Sequence, residues 1–319
     1  MKFGIVGSGS IAQRYASIIE ASFDAEVFVV SDFQPDAFER FSVFNREQAT
    51  RFTRSNPNSL DVLVIASENR NHLSDFVNFS ALSRKILIEK PLFHRPLQPN
   101  ESSWFESFDG QILVSSPLRY LDAFAEMVKR IDQIGKLGHI EVRCQSWLPN
   151  WRPGRDFRTG FWNDPSQGGV LREIIHELDY LERLFGPLSV SWAESSYSDA
   201  LNLKVESGVN SILQTKENVI VDLRLDFSTH ASRRMLRLDG DLGSLEWNLL
   251  TGTITFTRNL IAESTEFPND LDRNTSFKRQ IDALIEPKSW EISGTTIYDA
   301  MRSLDLVEDI YGSIRTSRK

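Results

Sequence analysis

The stretch Lys2-Phe3-Gly4-Ile5-Val6-Gly7-Ser8-Gly9-Ser10-Ile11-Ala12 decides how the chain is read. An apolar run, Phe3–Val6, stops at two glycines one residue apart. Apolar residues then recur at Ile11, Tyr15, Ile18 and Ile19 with helical spacing. A buried strand, a tight turn and a helix are expected in that order. In this context the GxGxxA pattern has a physical meaning. Gly7 allows the turn, Gly9 lets the backbone approach a pyrophosphate, and Ala12 permits close packing of helix on strand. The helix start, with Ser8, Ser10 and Ile11 beside it, offers unpaired N–H groups and a positive dipole end. The alternative is a turn in a Rossmann-like sheet that holds no cofactor.

Outward from this loop, Val27–Ser31, Leu60–Ala66, Ile86–Ile88 and Gln111–Ser115 are further short apolar runs. Strands alternating with helical patterns imply a parallel sheet covered on both faces. Asp32 ends the second strand, 23 residues after Gly9. An acid there suits the ribose hydroxyls of NAD, and no arginine follows immediately to favour NADP. The competing role is a helix cap.

Near residue 118 the pattern changes. Val219, Val221, Leu223, Leu225 and Phe227 alternate with polar residues, as do Ile140, Val142 and Cys144. Met235–Leu238, Ser244–Leu249 and Thr253–Thr257 are further short strands. Period-two alternation predicts strands buried on one face, hence an antiparallel sheet. One strong helix is expected from Leu171 through Phe185, ended by Gly186-Pro187, and another from about Thr295 to Ile314. The fold class is α/β in two domains, 1–118 and 119–319.

Composition excludes several functions. The formal net charge is −8, and the one basic cluster, Arg315–Lys319, reads as a solvated tail, so nucleic acid is not an expected partner. Cys144 is the single cysteine, which rules out an intrachain disulfide and fits a reducing compartment. Val27–Val30 and Val62–Ala66 are too short to span a membrane. No signal pattern precedes Lys2, so a cytoplasmic protein is expected.

Two segments carry candidate chemistry. In Leu87-Ile88-Glu89-Lys90-Pro91-Leu92, Lys90 follows a predicted strand and points to the crevice where open α/β sheets bind ligands. A partly desolvated lysine there can hold a substrate oxygen or move a proton; the plain alternative is a solvated surface lysine. In the segment from Gly168 to Tyr180, Glu173, His176 and Asp179 stand at i, i+3 and i+6. On one helix neighbouring pairs share a face, and a carboxylate beside a histidine can orient it. No further His or Cys cluster completes a metal site, so no metal is expected. The alternative is a polar helix face.

These segments together resemble the Gfo/Idh/MocA family, the glucose–fructose oxidoreductase and inositol dehydrogenase group. The resemblance runs from the Gly7–Ala12 loop through Asp61–Ala66 with Glu68-Asn69-Arg70-Asn71-His72, Glu89-Lys90-Pro91 and Arg119 to the Gly-Gly…His…Asp helix. It implies an N-terminal Rossmann domain and a C-terminal α/β domain with a large, mostly antiparallel open sheet. That sheet would form a homodimer or homotetramer interface. It implies Lys90 and His176 as the catalytic pair with Glu173 as the acid. It also implies Ser67, Asn69, His72, Glu89 and Lys90 around the cofactor, NAD with NADP also admitted. In inositol dehydrogenase-like members the acid stands four residues before the histidine. Here Arg172 holds that place and Glu173 stands three before. The stretch from Trp147 to Pro153, with Asp156-Phe157-Arg158, resembles a branch linked to surface-polysaccharide or sialic-acid-like sugar biosynthesis that shares this shortened spacing.

The expected activity is therefore NAD(P)-dependent oxidation or reduction at a CH–OH group of a sugar, nucleotide sugar or polyol. His176 would take the hydroxyl proton, Lys90 would hold the oxygen, and Glu173 would orient His176. Arg119, Trp151, Asp156, Arg158 and Trp162 are candidate substrate contacts, with a surface loop or core role as the alternative. The rival functions are an NAD-assisted glycosidase of the same superfamily and a non-catalytic NAD(P)-binding sensor.

Overall fold

The computed structural model describes residues 1–33, 36–98, 100–151, 153–154, 156–286 and 293–317, the last three without their side chains. The basic segment 315–319 and Arg152 thus lie outside the described side chains. The chain forms two compact units, 1–120 with 273–301, and 121–272 with 302–319. In chain order the helices are α1 Ser10–Ser22, α2 Arg46–Ser55, α3 His72–Phe79, α4 Ser103–Glu106, α5 Asp122–Arg130, α6 Val170–Glu173, α7 His176–Phe185, α8 Arg273–Ile285 and α9 Ile297–Ser317. No helix among the described residues is long and apolar enough to cross a membrane.

The first unit is built on a parallel sheet of β1 Lys2–Val6, β2 Glu26–Val30, β3 Ser42–Phe44, β4 Val62–Ile65, β5 Lys85–Ile88 and β6 Gln111–Val114, in the order β3-β2-β1-β4-β5-β6. Its central strands read as unbroken apolar runs because both faces are covered; every residue of β4 is buried. The sequence reading missed β3, a three-residue edge strand with only partial burial. On α1, Ala12, Tyr15, Ala16, Ile18 and Ile19 form the buried stripe.

A single cut at residue 118 does not describe this unit, because α8 returns to it. Phe277, Ile281, Ala283 and Leu284 share one core with Ile5, Tyr15 and Val64. Gln280 accepts from Ser116 N–H at 2.8 Å, and Arg279 donates to the Tyr120 carbonyl at 2.7 Å. Periodicity shows that a helix face is buried, not which core receives it.

The second unit is a sheet of β7 Leu137–Trp147, β8 Ser189–Ser196, β9 Gly208–Gln214, β10 Ile220–Asp226, β11 Ser228–Gly240, β12 Ser244–Asn248, β13 Thr253–Arg258 and β14 Ile261–Glu266. The order is β14-β13-β12-β11-β7-β10-β9-β8. Among the described residues the strand pairs of this sheet are antiparallel except β7 with β10, which run parallel. Ile140, Val142, Val221, Leu223, Leu236, Leu238 and Trp247 line the buried face. Phe124 of α5 and Tyr180 of α7 pack on Trp247 at 6.1 and 5.8 Å between ring centroids. The apolar alternation is therefore covered by the chain's own helices, and needs no second copy for its burial. The opposite face carries charge: Arg143 pairs with Glu141 at 3.0 Å and with Asp222.

The helix expected from Leu171 to Phe185 is two helices. Ile174 leaves the helical region at φ −106°, ψ 32°, so α6 stops at Glu173 and α7 starts at His176. Ile174 and Ile175 are both β-branched and both buried, a pair that favours the α-helix weakly. Glu173 and His176 thus do not share one helical face, which corrects the i, i+3, i+6 reading.

Candidate active site

The first unit gathers its motif residues at the carboxyl ends of its strands. Gly7 has φ +120°, and a Cβ there would lie 2.5 Å from the Ala66 carbonyl oxygen, so β1 and β4 leave room only for glycine. Gly9 precedes α1, and a Cβ on it would meet nothing within 4 Å. The protein's own packing does not require glycine there; open space over the helix start does fit a bound group. The first-turn N–H groups at Ser10, Ile11 and Ala12 have no intrahelical acceptor, and no acidic side chain occupies that turn. Ser8 contributes its carbonyl to Gln13 at 3.1 Å. Ala12 is fully buried, as close helix–strand packing demands. This cradle suits a pyrophosphate.

Asp32 follows β2 with its carboxylate half-exposed, accepting from the Arg46 backbone N–H at 3.1 Å. Arg46 Nε lies 3.4 Å from its other oxygen. Although no arginine follows Asp32 in sequence, the fold brings one from the first turn of α2. Arg46 is held in turn by the fully buried Asp75, with which it makes a two-pronged contact. That carboxylate raises the guanidinium's pKa. Ser67 Oγ also donates to Asp75, at 2.6 Å.

His72 is buried between two carbonyls, Nδ1 at 3.0 Å from Leu92 O and Nε2 at 3.0 Å from Ser67 O. Burial depresses its pKa, with the carbonyls opposing. It fastens the segment after β4 to the segment after β5. Asn69 is likewise buried. Glu89 is 6% exposed and accepts from Tyr15 OH at 2.8 Å and from the Lys90 backbone N–H at 3.1 Å. Burial, then the Glu89 charge, pushes the Tyr15 phenol well above its ordinary pKa, so it remains a donor. Lys90 itself is half-buried. Arg119 lies in this unit, 2% exposed in the turn Pro117–Tyr120, rather than on an open substrate surface.

In the second unit Glu173 and His176 are each half-buried. Glu173 lines a narrow cleft with Leu148, Trp151, Phe157 and Trp162. Trp151 Nε1 donates to Ser146 Oγ at 2.7 Å, and Trp162 Nε1 donates to the Phe157 carbonyl. Both indole N–H groups are thereby satisfied within the unit. Asp156 and Arg158 are exposed and answer each other: the carboxylate accepts from Arg158 Nε at 2.8 Å and from its backbone N–H at 3.0 Å. Arg158 thus lowers the Asp156 pKa. Asp179 is buried on α7. Beside His176, the fully buried Glu177 accepts from Arg234 Nε of β11 at 2.7 Å. Burial raises the pKa of the neighbouring Cys144, which stays a thiol. Among the described residues, no His, Cys, Asp and Glu group is arranged to hold a metal.

Two family profiles match this chain. Residues 1–102 match one described as an oxidoreductase family with an NAD-binding Rossmann fold, and residues 124–246 match the GFO/IDH/MocA C-terminal domain. The chain belongs to the Gfo/Idh/MocA family. A curated relative, inositol 2-dehydrogenase of Rhizobium meliloti, is 24% identical over 196 residues; the match spans 60% of this chain and 57% of that protein. Among solved structures, UDP-N-acetylglucosamine 3-dehydrogenase from Acidithiobacillus ferrooxidans superimposes with TM-score 0.77 at 14% identity, covering 100% of this chain and 99% of the other. A 3-ketoreductase from Actinomadura kijaniata, in complex with NADP, gives TM-score 0.76 at 18% identity over 98% and 97%. At these identities the structures establish a shared fold. The first unit is the NAD-binding Rossmann module of this oxidoreductase family.

Several residues of this Gfo/Idh/MocA protein escaped the sequence reading. Tyr15 fits the apolar stripe of α1, and nothing local shows that its hydroxyl meets Glu89. Arg46, Asp75, Glu177 and Arg234 look like ordinary charges on helices and a strand, and their ion pairs span long intervals of chain. Phe157 stands in the sequence only within the Asp156-Phe157-Arg158 stretch, with no role of its own.

Proposed function

We propose that the protein is an NAD(P)-dependent dehydrogenase acting on a CH–OH group of a sugar, nucleotide sugar or polyol. The observation that carries this reading is the set at the carboxyl ends of β1, β2, β4 and β5: a glycine cradle, a ribose-type acid, and Lys90 anchored by the buried Glu89. Cofactor binding falls to the first unit and substrate binding to the second. A bound nicotinamide supplies two-electron chemistry at the carbinol carbon. Lys90 Nζ holds the substrate oxygen and stabilises its developing charge. His176 takes the hydroxyl proton during oxidation and returns it during reduction. Glu173, the last residue of α6 before the break at Ile174, accepts from a second substrate hydroxyl, and Trp151 and Trp162, which line the same cleft, pack against the C–H side of a sugar ring. The solved relatives named for a UDP-sugar and a 3-keto substrate, and the curated inositol enzyme, support this class. In this reading the protein is cytoplasmic and a homodimer or homotetramer through the open sheet face.

The test is turnover followed by NADH absorbance across a panel of polyols, sugars and nucleotide sugars. Lys90→Met and His176→Ala should each cut turnover by about 10²-fold or more, with NAD affinity within about threefold of wild type. Glu173→Gln should act mainly on KM. A residual rate above about one tenth in either of the first two variants removes that residue from the chemistry.

A further inference from the structure

The arginine beside Asp32 changes how the adenosine end of the site selects its ligand. Around it, one guanidinium faces two carboxylates: Arg46 contacts Asp32 at 3.1 Å through its backbone and 3.4 Å through Nε, and contacts Asp75 through both terminal nitrogens. Asp75 is fully buried and also takes the Ser67 hydroxyl, so it is fixed. Asp32 is half-exposed, and the Arg46 side chain keeps 35% of its surface. One negative charge is left over, and it sits on the exposed side, where a ribose would meet Asp32.

We propose that Arg46 is a specificity-determining residue whose charge is claimed by Asp75, so that the Ser67–Asp75–Arg46–Asp32 chain, not Asp32 alone, sets the NAD over NADP preference. A 2′-phosphate adds negative charge beside Asp32. It is rejected because the guanidinium 3.4 Å away is already spent on two carboxylates. With either carboxylate neutralised, the Arg46 charge is offset only once, and the guanidinium becomes a charge-assisted partner for that phosphate. The two carboxylates are thus equivalent in charge though only one touches the ribose side. The inference rests on cofactor binding at the Gly7–Ala12 loop.

The experiment is equilibrium titration of the purified full chain with NADH and NADPH, read by nucleotide fluorescence, without substrate. Wild type should bind NADH at least about tenfold more tightly. Asp32→Asn, at an exposed position, should raise relative NADPH affinity by about tenfold or more, an effect the size of one charged hydrogen bond. Asp75→Asn should shift the ratio the same way by a smaller factor. Arg46→Gln added to Asp32→Asn should return most of the gain. Because Asp75 is buried, the Asp32→Asn and Asp32→Asn/Arg46→Gln pair decides the matter if Asp75→Asn fails to fold. If the double variant keeps the full NADPH gain, Arg46 plays no part and the inference is overturned. If wild type binds neither nucleotide saturably, the cofactor reading itself falls, and the inference with it.

Discussion

The two units place their candidate residues by different means. In the first, the groups of interest hang from adjacent parallel strands, and the connections are short: Gly7 against Ala66, Glu89 against the next backbone N–H, His72 clamped between the segments that follow β4 and β5. Backbone geometry there leaves little freedom. In the second, Glu173 and His176 sit either side of a helix break, and a long-range ion pair, Glu177 with Arg234, ties the first turn of α7 to β11. A loop at strand ends is built by main-chain sterics; a broken helix is held by side chains. The first unit should therefore fail through backbone changes and the second through charge changes.

The largest effect is expected where main-chain sterics are tightest. Gly7→Val puts a branched side chain at φ +120° against the Ala66 carbonyl. It should eliminate saturable NADH binding and cost about 2 kcal/mol or more of stability. Fluorescence titration and urea unfolding check both; retention of wild-type affinity would show that the turn has slack and would break the contrast between the units.

Next in size is Glu177→Gln, which leaves Arg234 facing a neutral amide. Breaking a buried ion pair costs about 3–5 kcal/mol. Because the Arg234 side chain keeps 28% of its surface, about 2–3 kcal/mol is expected here. NADH affinity should stay within about twofold of wild type, since the change lies in the second unit. Turnover should fall, because His176 heads the same helical turn. A stability loss under about 0.5 kcal/mol would mean that the pair is not what holds the start of α7.

The smallest effect is a pH slope in the first unit. His72 has its pKa lowered in the folded state from 6.5. The unfolded chain then binds the proton first, so the neutral-His contribution is fully present above about pH 6.5 and is lost as pH falls below it. The loss should reach at most about 1.4 kcal/mol per pH unit. Urea unfolding at pH 7.5, 6.5 and 5.5 should show a steeper acid-side decline for wild type than for His72→Gln. Parallel declines would show that His72 protonates in place, served by its two carbonyls.

Local chemistry made part of this protein legible from its residues alone. The apolar runs and the GxGxxA turn yielded the parallel sheet, the period-two runs yielded the strands β7 and β10–β13, and both follow from rules acting over a few neighbouring residues. The edge strands β3 and β14 lacked that signature because edges bury little. The break at Ile174 escaped the reading because Leu171–Phe185 keeps a helical pattern across it. Asp32 stands just past the end of β2, and its neighbour Arg46 arrives from a helix that its spacing did not point to. Likewise α8 fits the first core from far downstream. Spacing along the chain specifies which face of an element is apolar; which core that face enters, and which charges meet, is set by long-range packing and is decided only in the folded molecule.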